Sequence, residues 1–479
     1  MTALGAAALG FLVVSQPLVQ LLPLAVIGAV LIVRWPAALP IAALVLCQEV
    51  LPAADEQGSG GLALTLGNQL YYGPDGTDDG QQTVLPIMVL LAVTAAVSAI
   101  NILGRSQPAG VRLSRTGTAI LVAIVALVAW TVLAGVRASG SLLAAVNQEA
   151  KPFLLLAFGF VVGVGIHHAR REPAATKVAT GAALVALLAL AGADLATGRV
   201  GLGLDTQYPI FFDAAMSAAA GAVLLALVFH RNRGSGLPQV LVGLAALAIV
   251  ILSLRRNVWV AVVVALVVAL VVAHGRGTAA RRLTLGTVSL VPVALLVPGL
   301  AATVGTRVYD TLYSLDNAAD ASTRGHITDL EIGWNYVLGS PIAGIGSRHP
   351  PLPGFVVQES SIVYVHNEWL LDWLRYGLVG VTLVTLVLGL LAARALALLR
   401  THRSLTVVQT AAAMFVLMVP ISAITAPFLS TTGRWPALLG IAAGIIAVAR
   451  APAGGSEPLP AAQQRRAGTG PSVPGMART

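Results

Sequence analysis

The chain is divided into apolar runs of about 17–25 residues, the length an α-helix needs to cross the hydrocarbon core of a bilayer. They fall at 84–103, 115–135, 152–168, 178–195, 209–229, 238–254, 257–274, 283–301, 378–399, 406–425 and 432–449, with a shorter run at 37–51. Residues 4–33 read either as one long tilted helix or as two short ones broken near Ser15, Gln16, Pro17 and Gln20. The total is 13 or 14 spans. Only 10% of the 479 residues are charged and 57% are hydrophobic, which is too little polarity to cover a water-soluble surface. The expected fold is therefore all-α, a polytopic membrane helix bundle over 1–449 whose many Gly and Ala residues allow close helix contacts. The single cysteine, Cys47, lies in an apolar run and excludes a disulfide scaffold.

Charge orients the bundle. Short connections carry Arg34; Arg105, Arg112 and Arg115; Arg170, Arg171 and Lys177; Arg231 and Arg233; Arg276, Arg281 and Arg282; and Arg400 and Arg403. They alternate along the chain as cytoplasmic loops should. The opposite connections hold nearly all the acids, in an outer loop at 52–83 and a larger, partly helical one at 302–368 before the last three spans. The tail over 450–479, rich in Pro, Gly, Ala and Arg, is expected to be disordered and cytoplasmic. The N-terminus lacks the basic n-region of a cleavable signal peptide. The net charge of +9 is thus mainly a topology signal, helped by attraction to anionic lipid, and does not point to nucleic acid. The sequence has no HExxH, Walker loop or CxxC pair, so neither a metal nor another cofactor is expected. Asp75, Asp78 and Asp79 read most simply as a solvated acidic loop.

The informative charges break the orientation rule. Arg255 and Arg256, in LSLRRNVW, sit between two tightly joined spans at the outer edge. Such a pair either anchors the interface or forms an electropositive site, where Arg256 would add its charge to the N–H groups opening the next helix. In the large outer loop, Ser322-Thr323-Arg324 can start a helix with apolar spacing through Ile327, Leu330, Trp334 and Leu338, stopped by Gly339, Ser340 and Pro341. The following Gly344-Ile345-Gly346 is either a plain turn or a backbone approach to an anion. His366 stands at the outer boundary of the next span with Glu368, Asp372 and Arg375 close in sequence, and Arg434 marks another outer edge. Histidine suits proton removal from a hydroxyl, and arginine forks suit phosphate oxygens. Aromatics at Tyr71, Tyr72, Tyr208, Phe211, Phe212, Trp334 and Trp369 gather toward the outer side, most as an interface belt, with stacking on sugar rings the alternative for a few.

Three stretches carry a family resemblance: SLRRNVW at 253–259, TRGHITDLEIGWNYVLGSPIAGIG at 323–346 and HNEWLLDWLRYGLVG at 366–380. Their order and spacing resemble the O-antigen ligase and Wzy-type polysaccharide polymerase superfamily of bacterial inner membranes. The resemblance implies a multi-pass protein of the bacterial cytoplasmic membrane that performs glycosyl transfer on its outer face. The implied donor is a glycan on a polyprenyl diphosphate. The implied acceptor is a hydroxyl of another lipid-linked glycan, of a lipid or of a cell-surface anchor, with further glycan-assembly proteins as partners. It also implies an inverting, metal-independent reaction in which Arg256 and Arg324 hold the diphosphate and His366 orients or deprotonates the acceptor. Arg255, Glu368, Asp372, Arg375 and Arg434 are the accompanying substrate-binding candidates, with Glu368 and Asp372 also placed to tune His366. Asn257 stands where the family usually has glycine and Arg255 is an added arginine, which leaves open which of the pair faces the site. Polymerase and ligase are not separated at this level. The rival class is a transporter of a lipid-linked glycan or other anionic solute, for which charges spread through both halves of the bundle are expected.

Overall fold

The computed structural model describes residues 28–47, 86–104, 111–167, 172–197, 211, 213–230, 236–253, 255–272, 321–346, 365–400, 405–427, 429 and 434–450. The expected span at 283–301, most of 4–33, the loop at 52–83 with its aspartates, much of 302–368 and the tail from 451 lie outside them, as do Tyr71, Tyr72, Tyr208 and Phe212.

The described chain is helical almost throughout. Its helices are α1 (Ala38–Leu46), α2 (Pro86–Gly104), α3 (Arg115–Ser139), α4 (Leu142–Gly165), α5 (Glu172–Ala196) and α6 (Ala214–Phe229). They continue with α7 (Leu237–Leu252), α8 (Arg256–Val272), α9 (Ala321–Gly339), α10 (Glu368–Arg400), α11 (Val407–Ser422) and α12 (Arg434–Ala447). Five are long and apolar enough to cross a membrane, and α6, α7, α8, α11 and α12 are shorter apolar helices. Large apolar side chains such as Leu133, Val178, Leu241, Val263 and Leu386 stand exposed along them, a surface that lipid covers and water does not. Local signals set the ends. Ser114 caps α3 by accepting from Gly117 N, and Gly140 closes it in the left-handed region. Thr406 and Gln409 form a reciprocal capping box on α11. One span departs from the expectation of 152–168: α4 begins at Leu142 and passes through a π-helical turn at Val146–Ala150. The polar run Asn147, Gln148, Glu149 and Lys151 hides this extension from hydropathy.

The closest helix pair is α4 with α12, and glycine is the reason. Gly159 and Gly163 on α4 face the carbonyls of Ala437 and Ile441, while Gly440 and Gly444 on α12 face those of Leu156 and Phe160. Two small-xxx-small stripes interlock, so the backbones touch without side chains between them. A methyl group on Gly440 would overlap the Leu156 carbonyl, whereas one on Gly389 of α10 meets open space. Gly440→Ala is therefore expected to destabilise the purified protein by about 1–3 kcal/mol and Gly389→Ala hardly at all, read as melting temperatures in detergent.

The bundle has two chemically different ends. At one, β1 (Val111–Leu113) pairs antiparallel with β2 (Val448–Arg450), a ladder the all-α expectation did not include. It joins the start of α3 to the end of α12. Ser114 N and Oγ both donate to the Ala447 carbonyl, Arg394 Nε donates to Ile446 O (2.8 Å), and His167 Nε2 lies 2.9 Å from Ile445 O. The end of α12 is thus held by α3, α4 and α10 together. The other end carries the starts of α4, α6, α8, α10 and α12 and the end of α11, and α9 packs there on the first turns of α10.

Candidate active site

Three consecutive residues fix the entry into α10. His366 Nδ1 lies 2.5 Å from Asp329 Oδ2 on α9. Asn367 accepts from Leu370 N through Oδ1 (3.0 Å), capping the helix, and donates to Ile424 O at the end of α11 (2.9 Å). Glu368 donates its N–H to Ala423 O (3.0 Å), and its buried carboxylate accepts from Leu429 N (2.8 Å). His366 is therefore tied through its own ring to α9 and through its neighbours to α11.

The carboxylate that meets the His366 ring is Asp329, a residue of α9. Asp329 is buried, while the His366 side chain keeps 32% of its exposure. The position of Asp329 follows from how α9 docks. Asp329, Gly333 and Val337 share one helix face at spacings of four. Val337 packs with Val365, Leu370, Leu371 and Leu374, and Gly333 lies against Leu370 and Val365. Trp334 meets Trp373 edge-on at 5.5 Å. A neutral His366 whose Nδ1–H donates to Asp329 has its lone pair on Nε2, the arrangement that makes imidazole a directed base.

The Pro-x-x-Gly-x-Gly turn after α9 serves the backbone. Gly344 N donates to Ser340 O (3.0 Å), Ile345 N to Leu374 O (2.7 Å) and Gly346 N to Arg375 O (3.0 Å), so these N–H groups are spent on the fold and the anion reading of the turn gives way to the structural one. The turn fits because α10 breaks at Gly377, where φ is 68° and ψ −172°. The break exposes the Leu374, Arg375 and Tyr376 carbonyls; Trp130 Nε1 takes the last (2.9 Å), and Leu378 N donates back to Pro341 O (2.9 Å). Arg137, at the end of α3, grips the same turn through Ala343 O (2.5 Å) and Gly344 O (2.7 Å).

The remaining candidates divide by burial. Arg255 and Arg256 are half-buried where α7 meets α8. Ser253 Oγ donates to Val250 O (2.8 Å), and Trp259 Nε1 donates to the same carbonyl (2.8 Å), which holds the junction tight. The backbone of Arg324 lies in the first turn of α9, with its side chain outside the described residues. Asp372 and Arg375 are buried, and together with Glu149 they lie within electrostatic reach of Tyr376, whose hydroxyl donates to the Glu149 carbonyl (3.3 Å) within the π turn. Arg434, expected at the substrate, is fully buried and meets Asp213 at 2.7 Å. Asp213 also caps α6 by accepting from Met216 N, so this ion pair links the starts of α6 and α12. Of the aromatic belt, Trp334 is exposed, Trp369 half-buried and Phe211 fully buried.

Sequence reasoning did not assign Asp329, Asp213 or Arg137 these roles. Arg137 had a signal, an arginine at the end of an otherwise apolar helix; the two aspartates pair across elements and had none. No curated protein matches the chain. Residues 241–385, which include the Arg255–Arg256 junction, Asp329, His366 and Gly377, match the family model described as O-antigen ligase.

Proposed function

We propose that the protein is a membrane glycosyltransferase that moves a glycan from a polyprenyl diphosphate to an acceptor hydroxyl on the outer face of the bacterial cytoplasmic membrane. The observation that carries this reading is the His366–Asp329 pair, inside the segment similar to O-antigen ligases. In the reaction, the acceptor oxygen attacks the anomeric carbon of the donor sugar from the side opposite the diphosphate. The new C–O bond forms as the anomeric C–O bond to phosphate breaks, the acceptor proton passes to His366 Nε2, and the negative charge goes to the departing polyprenyl diphosphate. Asp329 stabilises the imidazolium so formed. Arg256, with Arg324 and Arg255, offsets the charge on the diphosphate, and Arg256 does so beside the N–H groups that open α8. Glu368, Asp372, Arg375 and Arg434 are buried, Glu368 on Leu429 N and Arg434 on Asp213, and in our reading they support this end of the bundle rather than touching the sugar.

The test is transfer in proteoliposomes from a polyprenyl-diphosphate-linked oligosaccharide, with products read by mass. Release of polyprenyl diphosphate with elongated or transferred glycan is expected, and the product distinguishes polymerase from ligase. Arg256→Lys replaces a planar fork by a point charge. Losing one charge-assisted hydrogen bond, about 1.5–3 kcal/mol, should lower kcat/KM by about 10–100-fold. Passage of the intact lipid-linked glycan across the bilayer with no transfer would overturn the reading in favour of a transporter.

A further inference from the structure

Helix α9 presents three chemically distinct sides. At about 100° per residue, Asp329, Gly333 and Val337 fall on one side and are buried, Gly333 and Val337 toward α10 and Asp329 against His366. Ile327, Leu330, Trp334 and Leu338 fall on the next, exposed by 50%, 39%, 46% and 60%. Thr328, Glu331 and Asn335 occupy the third, exposed and polar. A helix on a water-facing loop needs only two sides, one packed and one polar. An additional apolar side of this length is unfavourable in water and fits a helix lying along a membrane surface.

The apolar side also runs into the lipid-facing surface of the bundle. Past Leu338, the chain turns through the exposed Ile342, and the neighbouring Pro341 carbonyl accepts from Leu378 N on α10. There the exposed apolar series Leu378, Val379 and Leu386 begins its descent along the span. Trp334, edge-on to Trp373, stands beside this continuity, and tryptophan favours the headgroup level.

We propose that α9 is an interfacial membrane helix, with Ile327, Leu330, Trp334 and Leu338 seated among the acyl chains of the adjoining leaflet and Glu331 and Asn335 in water. The occupant of the apolar side is bilayer lipid. Seated so, α9 fixes the depth of Asp329 and His366 at the headgroup level, where, on the function proposed above, a lipid-linked diphosphate presents its sugar.

The test uses the full chain in phosphatidylcholine–phosphatidylglycerol vesicles. Cys47, the one native cysteine, is buried and is replaced by Cys47→Ala. A small environment-sensitive fluorophore is attached in turn through Leu330→Cys, Leu338→Cys, Glu331→Cys and Asn335→Cys. Nitroxide-bearing acyl chains should quench the label at the two leucine positions several-fold more than at Glu331 and Asn335, and aqueous iodide should show the reverse order. Equal iodide quenching at all four positions would overturn the proposal by placing the apolar side in water. Shielding of the leucine positions from both quenchers would overturn it in favour of a protein partner or a second copy. The readout needs no turnover, so it stands or falls separately from the transferase reading.

Discussion

His366→Ala is expected to lower the transfer rate by about 10²–10⁴-fold, the usual contribution of a positioned general base, and to lower the melting temperature in detergent while the bundle still folds. The loss of stability comes from Asp329, whose buried carboxylate loses its partner, and the fold survives because the docking of α9 on α10 rests on Val337, Val365, Leu370, Leu371 and Leu374. Asp329→Asn tests the other half of the pair. It preserves shape but offers an amide in place of the carboxylate that stabilises a protonated His366. Loss of kcat with little change in the donor KM is expected, because the carboxylate matters most when the ring carries the proton. The double variant should be no slower than His366→Ala alone, since the two residues act as one unit. Wild-type kcat in well-folded samples of both single variants would remove the pair from the mechanism.

The apolar helices of the bundle were legible in the sequence because lipid imposes a length and a polarity that few other folds satisfy. Their packing was less so, and α9 shows why. The spacing Ile327, Leu330, Trp334, Leu338 marks a helix, yet the face meeting the bundle is Asp329, Gly333, Val337. Beside a membrane there are two apolar destinations, the protein interior and the acyl chains, so periodicity identifies the helix without saying which side packs. The site follows the same division. His366 stood out because an ionisable side chain at a span boundary is unusual. Its partner Asp329 lies 37 positions away on another helix, beyond any local spacing rule. Arg434 stood out for the same reason as His366, yet its charge is met inside the bundle by Asp213. A boundary arginine read from sequence therefore marks either a ligand site or a buried ion pair, and burial separates the two.

Gly377→Ala is expected to reduce both stability and transfer, and more severely than its distance in sequence from His366 suggests. At φ 68° and ψ −172°, the backbone is in a region that only glycine occupies readily, and forcing another residue there costs on the order of 1–3 kcal/mol. The added methyl group would also overlap the Ile342 carbonyl, so relaxation must move the turn itself. That turn is held from four sides, by Leu374 O, Arg375 O, Leu378 N and the Arg137 guanidinium, and it follows directly from the end of α9. If α10 instead straightens into a continuous helix, the Leu374 and Arg375 carbonyls return to intrahelical partners and release Ile345 and Gly346 N–H. Either route shifts α9 on α10 and draws Asp329 from His366. Gly339→Ala, where a methyl group meets open space one residue before the turn, supplies the control and should keep melting temperature and activity. Equal behaviour of the two variants in melting and in proteoliposome transfer would show that the break at Gly377 does not position the pair.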